Sequence, residues 1–255
     1  MFLDPPTAPC AVDAVTPVSV TDSGGGVPSF AHPRWHISDL VLGIVGLLLV
    51  IAVLGVAVAG ATGGGDHDLW AVIVTIVVEA SMVGMVLILA RRRGMGIREL
   101  GFRRPVRWGP LPIAWIGAYI MLGLYSVLLV LLAELGIDVS ALDEGNPIPI
   151  GSDAEMVTVA LLGVAVVIAA PLGEEIFFRG LLFGGFRSYG GIFPALLLSG
   201  FLFGLFHLNI SVLVPFTAVG MVFAWAMEKS KSLWPSIAAH SAFNSLAFTL
   251  HMVGI

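Results

Sequence analysis

Residues 156–186 read MVTVALLGVAVVIAAPLGEEIFFRGLLFGGF, and Glu174, Glu175 and Arg179 interrupt an otherwise apolar stretch. No charged residue occurs between Met156 and Leu172. Such a stretch predicts a membrane-spanning helix, because a bilayer crossing needs about 20 apolar residues. Ionised groups at membrane depth are costly, so they usually pair, face a cavity and take part in function. The stretch therefore predicts a membrane protein and also the position of its functional site.

The composition of the whole chain supports this prediction. Of its 255 residues, 58% are hydrophobic and 11% charged, and the mean hydropathy is +1.00. A soluble domain does not have this profile, so we expect the lipid bilayer to be the solvent. The net charge of −5 gives no basic surface for nucleic acid. The single cysteine, Cys10, excludes an internal disulfide framework and a cysteine-based metal cluster.

The chain is predicted to have two parts. Residues 1–37 are rich in proline, glycine and small polar residues, which is typical of a flexible tail. Residues 38–255 are predicted to form an all-α, polytopic membrane domain of about seven transmembrane helices around a polar intramembrane cavity, with a catalytic core at about 156–253. The predicted spans are 40–60, 69–90, 111–135, 156–178, 192–207, 212–227 and 234–252.

Charged residues are sorted between the loops. Seven arginines lie between the second and third predicted spans, whereas loops 61–68 and 136–155 carry acids and no Lys or Arg. Because cytoplasmic loops are enriched in Lys and Arg, the arginine loop is predicted to be cytoplasmic. The sequence thus predicts a multi-pass protein of the cell membrane with a cytoplasmic N-terminus.

Glu174, Glu175 and Arg179, called the charged cluster below, are predicted to fall into a paired part and a free part. Glu175 and Arg179 are four residues apart, so on a helix they share one face and can pair. Glu174 lies about 100° around the helix from Glu175 and cannot use the same arginine equally well. This spacing predicts a Glu175–Arg179 pair and a Glu174 that is free to act as a general base. A purely structural clamp between helices is the alternative.

Two further segments bring polar residues to apolar spans. His207 ends the fifth predicted span on the face of Phe203, and Gly200 and Gly204 there permit close helix approach. His240 and Asn244 are four residues apart in the last span, so their side chains share a face and could stabilise an oxyanion. Taken alone, His207 is more typical of a packed or interfacial histidine, and His240 and Asn244 could equally form an interhelical hydrogen-bond pair.

Other ionisable groups of the spans have no recognisable partner in the sequence. They are Glu79, Glu134 and His251, and we expect them to play no part in the site.

The order E-E-x-x-x-R at Glu174–Arg179, F-x-x-x-H at Phe203–His207 and H-x-x-x-N at His240–Asn244 resembles the three signatures of the CPBP (Abi) family. These are CAAX-protease and bacteriocin-processing intramembrane proteases, and the likeness covers about 161–245 well. The resemblance implies a helical membrane endopeptidase in which Glu174 activates water with help from His207. It also implies that Glu175 and Arg179 support the site, and that His240 and Asn244 bind the oxyanion.

One geometric condition follows from the predicted spans. If the fifth span runs straight from the cytoplasmic face, its 16 residues rise roughly 22 Å. His207 would then lie near the outer face and His240 near the inner one. The groups can meet only if helices are tilted or broken around a cavity that reaches into the membrane.

Several alternatives remain open from the sequence. No cofactor is expected; a zinc enzyme is a minority possibility, since Glu and His bind zinc but H-E-x-x-H is absent. A non-catalytic scaffold or bacteriocin-immunity protein would keep the fold without needing Glu174. A proton-coupled transporter is less favoured, because the ionisable groups cluster in the C-terminal half without inverted repeats. The expected partners are the bilayer and a peptide or membrane-protein substrate.

Overall fold

Seven α-helices occupy most of residues 35–61, 67–146 and 154–254, the parts of the chain that the computed structural model describes, and these parts contain no β-strand. The helices are α1 (Ile37–Ala61), α2 (His67–Arg92), α3 (Pro110–Glu134), α4 (Met156–Tyr189), α5 (Ile192–Phe206), α6 (Ile210–Ser230) and α7 (Trp234–Met252). The predicted all-α fold of about seven helices is confirmed. The predicted tail, residues 1–37, lies outside the described residues except for its last three positions.

The protein is a multi-pass membrane protein. Helices α1, α2, α3, α4 and α6 are each long and apolar enough to cross a membrane, whereas α5 has 15 residues. Large apolar side chains such as Val53 and Val56 of α1 are exposed on the outside of the bundle. This is the surface expected when lipid, and not water, surrounds the helices.

The largest departure from the predicted spans is in α4. It was predicted to end at 178 but continues to Tyr189, over 34 residues in all. Two stretches of it, Ala165–Ala169 and Glu175–Phe183, have the wider π-helical turn. Such turns often occur at functional sites. Here they lie on either side of Pro171, and the second carries Glu175 and Arg179.

Glycines bring α5 and α6 together along most of their length. A side chain at Gly200 would contact the backbone of Thr217, and one at Gly204 would contact the backbone of Leu213 and Thr217. Gly220 of α6 packs in the same way against Gly200 and Phe203. The predicted close approach at the G-x-x-x-G pair is confirmed, and α6 is the partner helix.

Ion pairs join the helices at the end of the bundle that carries the arginine loop. Asp39 accepts hydrogen bonds from Arg93 Nε at 2.8 Å and Arg93 Nη2 at 3.0 Å, which ties the start of α1 to the end of α2. Trp35 precedes α1, is buried, and donates from its indole nitrogen to the carbonyl of Gly180 in α4 at 2.9 Å. The π-helical part of α4 is therefore also held by a residue that precedes α1.

Candidate active site

The site begins with an irregularity in α4 that the sequence explains. In the π-helical turn, Ala170 donates its backbone N–H to the carbonyl of Ala165, so the next residue would donate to Val166. That residue is Pro171, which has no N–H. Asn244 Nδ2 of α7 donates to the Val166 carbonyl at 2.9 Å in its place. The proline thus creates the acceptor that holds α7 against α4.

Glu175 is the fully buried centre of the charged cluster. Its Oε1 lies 3.0 Å from Arg179 Nη1, so the predicted pair of the two residues is confirmed. His240 Nδ1 contacts the same oxygen at 2.9 Å, and Ser236 donates its hydroxyl hydrogen to Oε2. A buried carboxylate with three partners is fixed in position and is poorly placed to take a further proton.

Arg179 is enclosed together with Glu175. Its Nη2 donates to the carbonyl of Gly220 in α6 at 3.1 Å. The guanidinium carbon lies 4.5 Å from the ring centroid of Phe203 and 5.5 Å from that of Phe223. Cation–π contacts of this kind are strongest where water is excluded. Arg179 therefore joins three helices and does not point at the cavity.

Glu174 has different surroundings from Glu175, although the two are adjacent. It lines a cavity of about 790 Å³, and no described group donates a hydrogen bond to its buried Oε2. His240 is close to it, with Nε2 3.6 Å from Oε2, beyond direct hydrogen-bond distance. This agrees with the prediction from helical spacing: Glu175 is paired with Arg179, and Glu174 is not.

His240 lies between the two carboxylates. Because the Glu175 carboxylate can only accept, Nδ1 carries the hydrogen of this contact, and Nε2 faces Glu174 and the cavity. The ring stacks on Phe223 with centroids 4.8 Å apart and an interplanar angle of 27°. The orientation of the imidazole is thus fixed by a hydrogen bond on one edge and a ring on one face.

The sequence interpretation missed Ser236. It lies four residues before His240, so Ser236, His240 and Asn244 form one stripe along α7 that contacts α4 throughout. The four-residue spacing from His240 was the one sequence signal for Ser236. Serine is common in membrane helices as a packing residue, and nothing in the sequence around Ser236 distinguishes a packing role from a role in the site.

His207 lines the same cavity as Glu174 and His240. The three groups therefore meet, although straight helices would have placed His207 and His240 near opposite faces of the membrane. Its Nδ1 donates to the carbonyl of Phe203 at 2.9 Å, which leaves Nε2 as an acceptor. The ring of Phe203 lies between the two histidines, 5.1 Å from the His207 ring and 5.7 Å from the His240 ring. The short α5 and the cavity bring the groups together.

The cavity runs from the charged cluster to the loop that follows α3. Glu174 and His240 line one end, and Leu142, Asp143 and Asn146 line the other. Ser211 Oγ and Asn209 Nδ2 both donate to the carbonyl of Gly145, at 2.9 and 2.8 Å, and hold this loop on the α5–α6 turn. A cavity lined in part by polar side chains is therefore present, and it reaches the side of the protein opposite to the arginine loop.

Two groups that were expected to stand apart from the site also line the cavity, namely Glu79 of α2 and His251 of α7. Glu79 is 5% exposed and its Oε2 has no hydrogen-bond donor among the described residues. Glu134, the third such residue, ends α3. The only sequence signal for Glu79 was its position at membrane depth.

The described residues contain no group of three or more His, Cys, Asp or Glu side chains arranged to hold a metal ion. The predicted independence from cofactors remains a prediction, as do the roles of the individual site residues.

Comparison with known proteins shows that the segment holding this cluster is similar to membrane peptidases. Residues 156–246 match the family described as "Type II CAAX prenyl endopeptidase Rce1-like", a range that holds all three motifs. The resemblance to CAAX proteases is therefore confirmed over this segment.

A bacterial protein shows the same similarity to membrane peptidases. The chain is 32% identical over 94 residues to "Putative membrane peptidase YdiL" of Bacillus subtilis (strain 168), which covers 37% of this chain. The chain matches 38% of the length of that relative, less than half. No solved structure matches the chain significantly.

Proposed function

We propose that the protein is a membrane-embedded endopeptidase that hydrolyses a peptide bond with water activated by Glu174. The observation that carries this proposal is the pair of adjacent carboxylates with opposite surroundings. Glu175 is fully partnered, while Glu174 has an unpartnered oxygen at the cavity. A general base must be ionised and within reach of water, and the Glu174 side chain lines the cavity that would hold this water. A structural clamp would require only Glu175 and Arg179.

In the proposed reaction, a cavity water attacks the peptide carbonyl carbon while Glu174 takes one of its protons. The carbonyl oxygen becomes an oxyanion, which needs donors fixed in advance. Asn244 uses one amide hydrogen on Val166 and keeps the second for this oxygen. His240, in its imidazolium form, donates from Nε2. The intermediate then breaks its carbon–nitrogen bond, and the leaving amine gains one proton, which balances the proton that Glu174 took from the water.

A protonated His240 would balance the charges of the cluster. Glu174 and Glu175 contribute two negative charges, and Arg179 and protonated His240 contribute two positive ones. A site at membrane depth is most easily maintained when its charges cancel. His207, with Nε2 available as an acceptor, would orient the attacking water and so assist Glu174.

We further propose a peptide or membrane-protein substrate, no metal cofactor, and a location in the cell membrane with the N-terminus in the cytoplasm. The cavity is large enough for an extended peptide segment and opens beside a described loop that holds Asp143. A zinc enzyme that uses Glu and His as metal ligands would make a different prediction on chelation.

The test uses the purified full-length protein in detergent with a quenched-fluorescence peptide library. Wild type is compared with Glu174→Gln, and with Ser245→Ala as a matched control, because the Ser245 hydroxyl bonds only within its own helix. We expect cleavage by wild type and by the control, loss in Glu174→Gln, and no effect of strong chelators.

Three outcomes would contradict the proposal in different ways. If wild type cuts no peptide, a non-catalytic membrane protein of the same fold becomes the better account. If Glu174→Gln cuts as well as wild type, another base acts. If chelators abolish cleavage and added zinc restores it, the metal-independent mechanism is wrong.

A further inference from the structure

Glu79 is a buried acid that the proposed reaction does not use. It lies twelve residues after the start of α2 and thirteen before its end, so about 18 Å of helix separates it from either end. It is 5% exposed, and no Arg, Lys or His of the described residues forms an ion pair with it. A carboxyl group placed so deeply without a partner calls for a functional explanation.

The packing of α2 on α4 brings Glu79 to the position of Glu174. A side chain at Gly173 would collide with Oε2 of Glu79 and would lie 3.1 Å from its carbonyl oxygen and 3.2 Å from its Cα. The two helices are therefore in backbone contact at the residue directly before Glu174. The absence of a side chain at Gly173 makes the room that the Glu79 carboxyl group occupies.

Glu79 and Glu174 both line the cavity. Each has a buried Oε2 to which no described group donates a hydrogen bond. In the proposed reaction the charges of Glu174, Glu175, Arg179 and a protonated His240 cancel, so an ionised Glu79 would add an uncompensated charge at membrane depth. Two neighbouring carboxyl groups commonly divide their roles, one holding a proton and the other not.

We propose that Glu79 is a third carboxyl group of the reaction and the acid that protonates the leaving amine. This inference rests on the proposed endopeptidase function. Glu174 takes a proton from the attacking water, and Glu79 gives its own proton to the amide nitrogen as the carbon–nitrogen bond breaks. The protonated Glu174 then returns a proton to the Glu79 carboxylate, which restores both groups without any further reactant.

The test compares two substrates that share one acyl sequence, a peptide cut by wild type and the corresponding thioester. An amine must be protonated to leave, whereas a thiolate leaves without a proton because thiols ionise near pH 8.5. Glu79→Gln keeps the size of the side chain and cannot give up a proton. Ser81→Ala in the same helix is the control, since its hydroxyl bonds only to the carbonyl of Val77.

We expect Glu79→Gln to lower kcat for the peptide about 100-fold or more, the usual range for a general acid, and to leave thioester hydrolysis within about threefold of wild type. Retained thioester activity also shows that the variant is folded. Glu79→Asp, which keeps the acid, should recover part of the peptide activity. Ser81→Ala should cut both substrates normally.

Equal loss of both activities in Glu79→Gln, or no loss of either, would overturn the role of Glu79. In both cases the proposed function would stand if wild type cleaves and Glu174→Gln does not. Failure of wild type to cut any peptide would instead overturn the endopeptidase proposal, and the role of Glu79 with it.

Discussion

Glu175 Oε1 and His240 Nδ1 lie 2.9 Å apart and join the π-helical part of α4 to α7. This contact fixes the hydrogen on Nδ1 and turns Nε2 toward Glu174, 3.6 Å away. The two adjacent carboxylates therefore contact opposite nitrogens of one imidazole. Glu175 sets the orientation of the ring, and Glu174 lies near the Nε2 edge of the ring.

The first prediction separates the two carboxylates by stability. Glu175→Gln leaves the buried guanidinium of Arg179 without its counter-charge, and we expect the free energy of unfolding to fall by about 3–5 kcal/mol. Glu174→Gln removes no described hydrogen bond and should change it by less than about 1 kcal/mol. Denaturant titration in detergent, followed by tryptophan fluorescence, measures both. Equal losses in the two variants would show that Glu174 also has a structural role.

The second prediction concerns Asn244. If its free amide hydrogen stabilises the oxyanion, Asn244→Ala should lower kcat by about 10²–10³ with little change in KM, as for other oxyanion donors. The control is Ser245→Ala, one residue further along α7, whose hydroxyl bonds to Ser241. A rise in KM at unchanged kcat would assign Asn244 to substrate binding and contradict the oxyanion role.

Local spacing was enough to predict the parts of the site that lie on one helix. The Glu175–Arg179 pair and the shared face of His240 and Asn244 follow from a separation of four residues. The seven apolar stretches likewise gave the number of helices, since each crossing must be long and apolar.

Contacts between helices could not be predicted in this way. The π-helical turns of α4 accept hydrogen bonds from Asn244 and Trp35, which lie in distant parts of the chain. Glu79 enters the site only because Gly173 leaves room for it on the facing helix. Hydropathy reports the preference of a segment for lipid and carries no information on which face meets which neighbour.

The third prediction tests the glycine contact that places α5. A Cβ at Gly204 would lie 2.5 Å from the Leu213 carbonyl and 2.9 Å from the Thr217 nitrogen, and both are backbone atoms that cannot rotate away. Gly204→Ala should therefore destabilise the protein by about 1–3 kcal/mol. It should also reduce kcat, because His207 follows three residues later.

The matched control for this packing prediction is Gly123→Ala in α3, where a Cβ meets nothing within 4 Å. Its stability should be unchanged or higher by up to about 1 kcal/mol, since alanine favours the helix more than glycine does. Thermal unfolding in detergent compares the two variants. Tolerance of Gly204→Ala without loss of stability would show that α5 and α6 can separate slightly at no cost.

The fourth prediction concerns the side from which the cavity is reached. The arginine loop is expected in the cytoplasm, and the cavity opens at the opposite loop beside Asp143. In a Cys10→Ser background, which has no other cysteine, Asp143→Cys should react with a membrane-impermeant maleimide on intact cells. Arg98→Cys, at a position that is also exposed, should react only after permeabilisation. The reverse pattern would place the cavity mouth in the cytoplasm, and substrates would then have to approach from there.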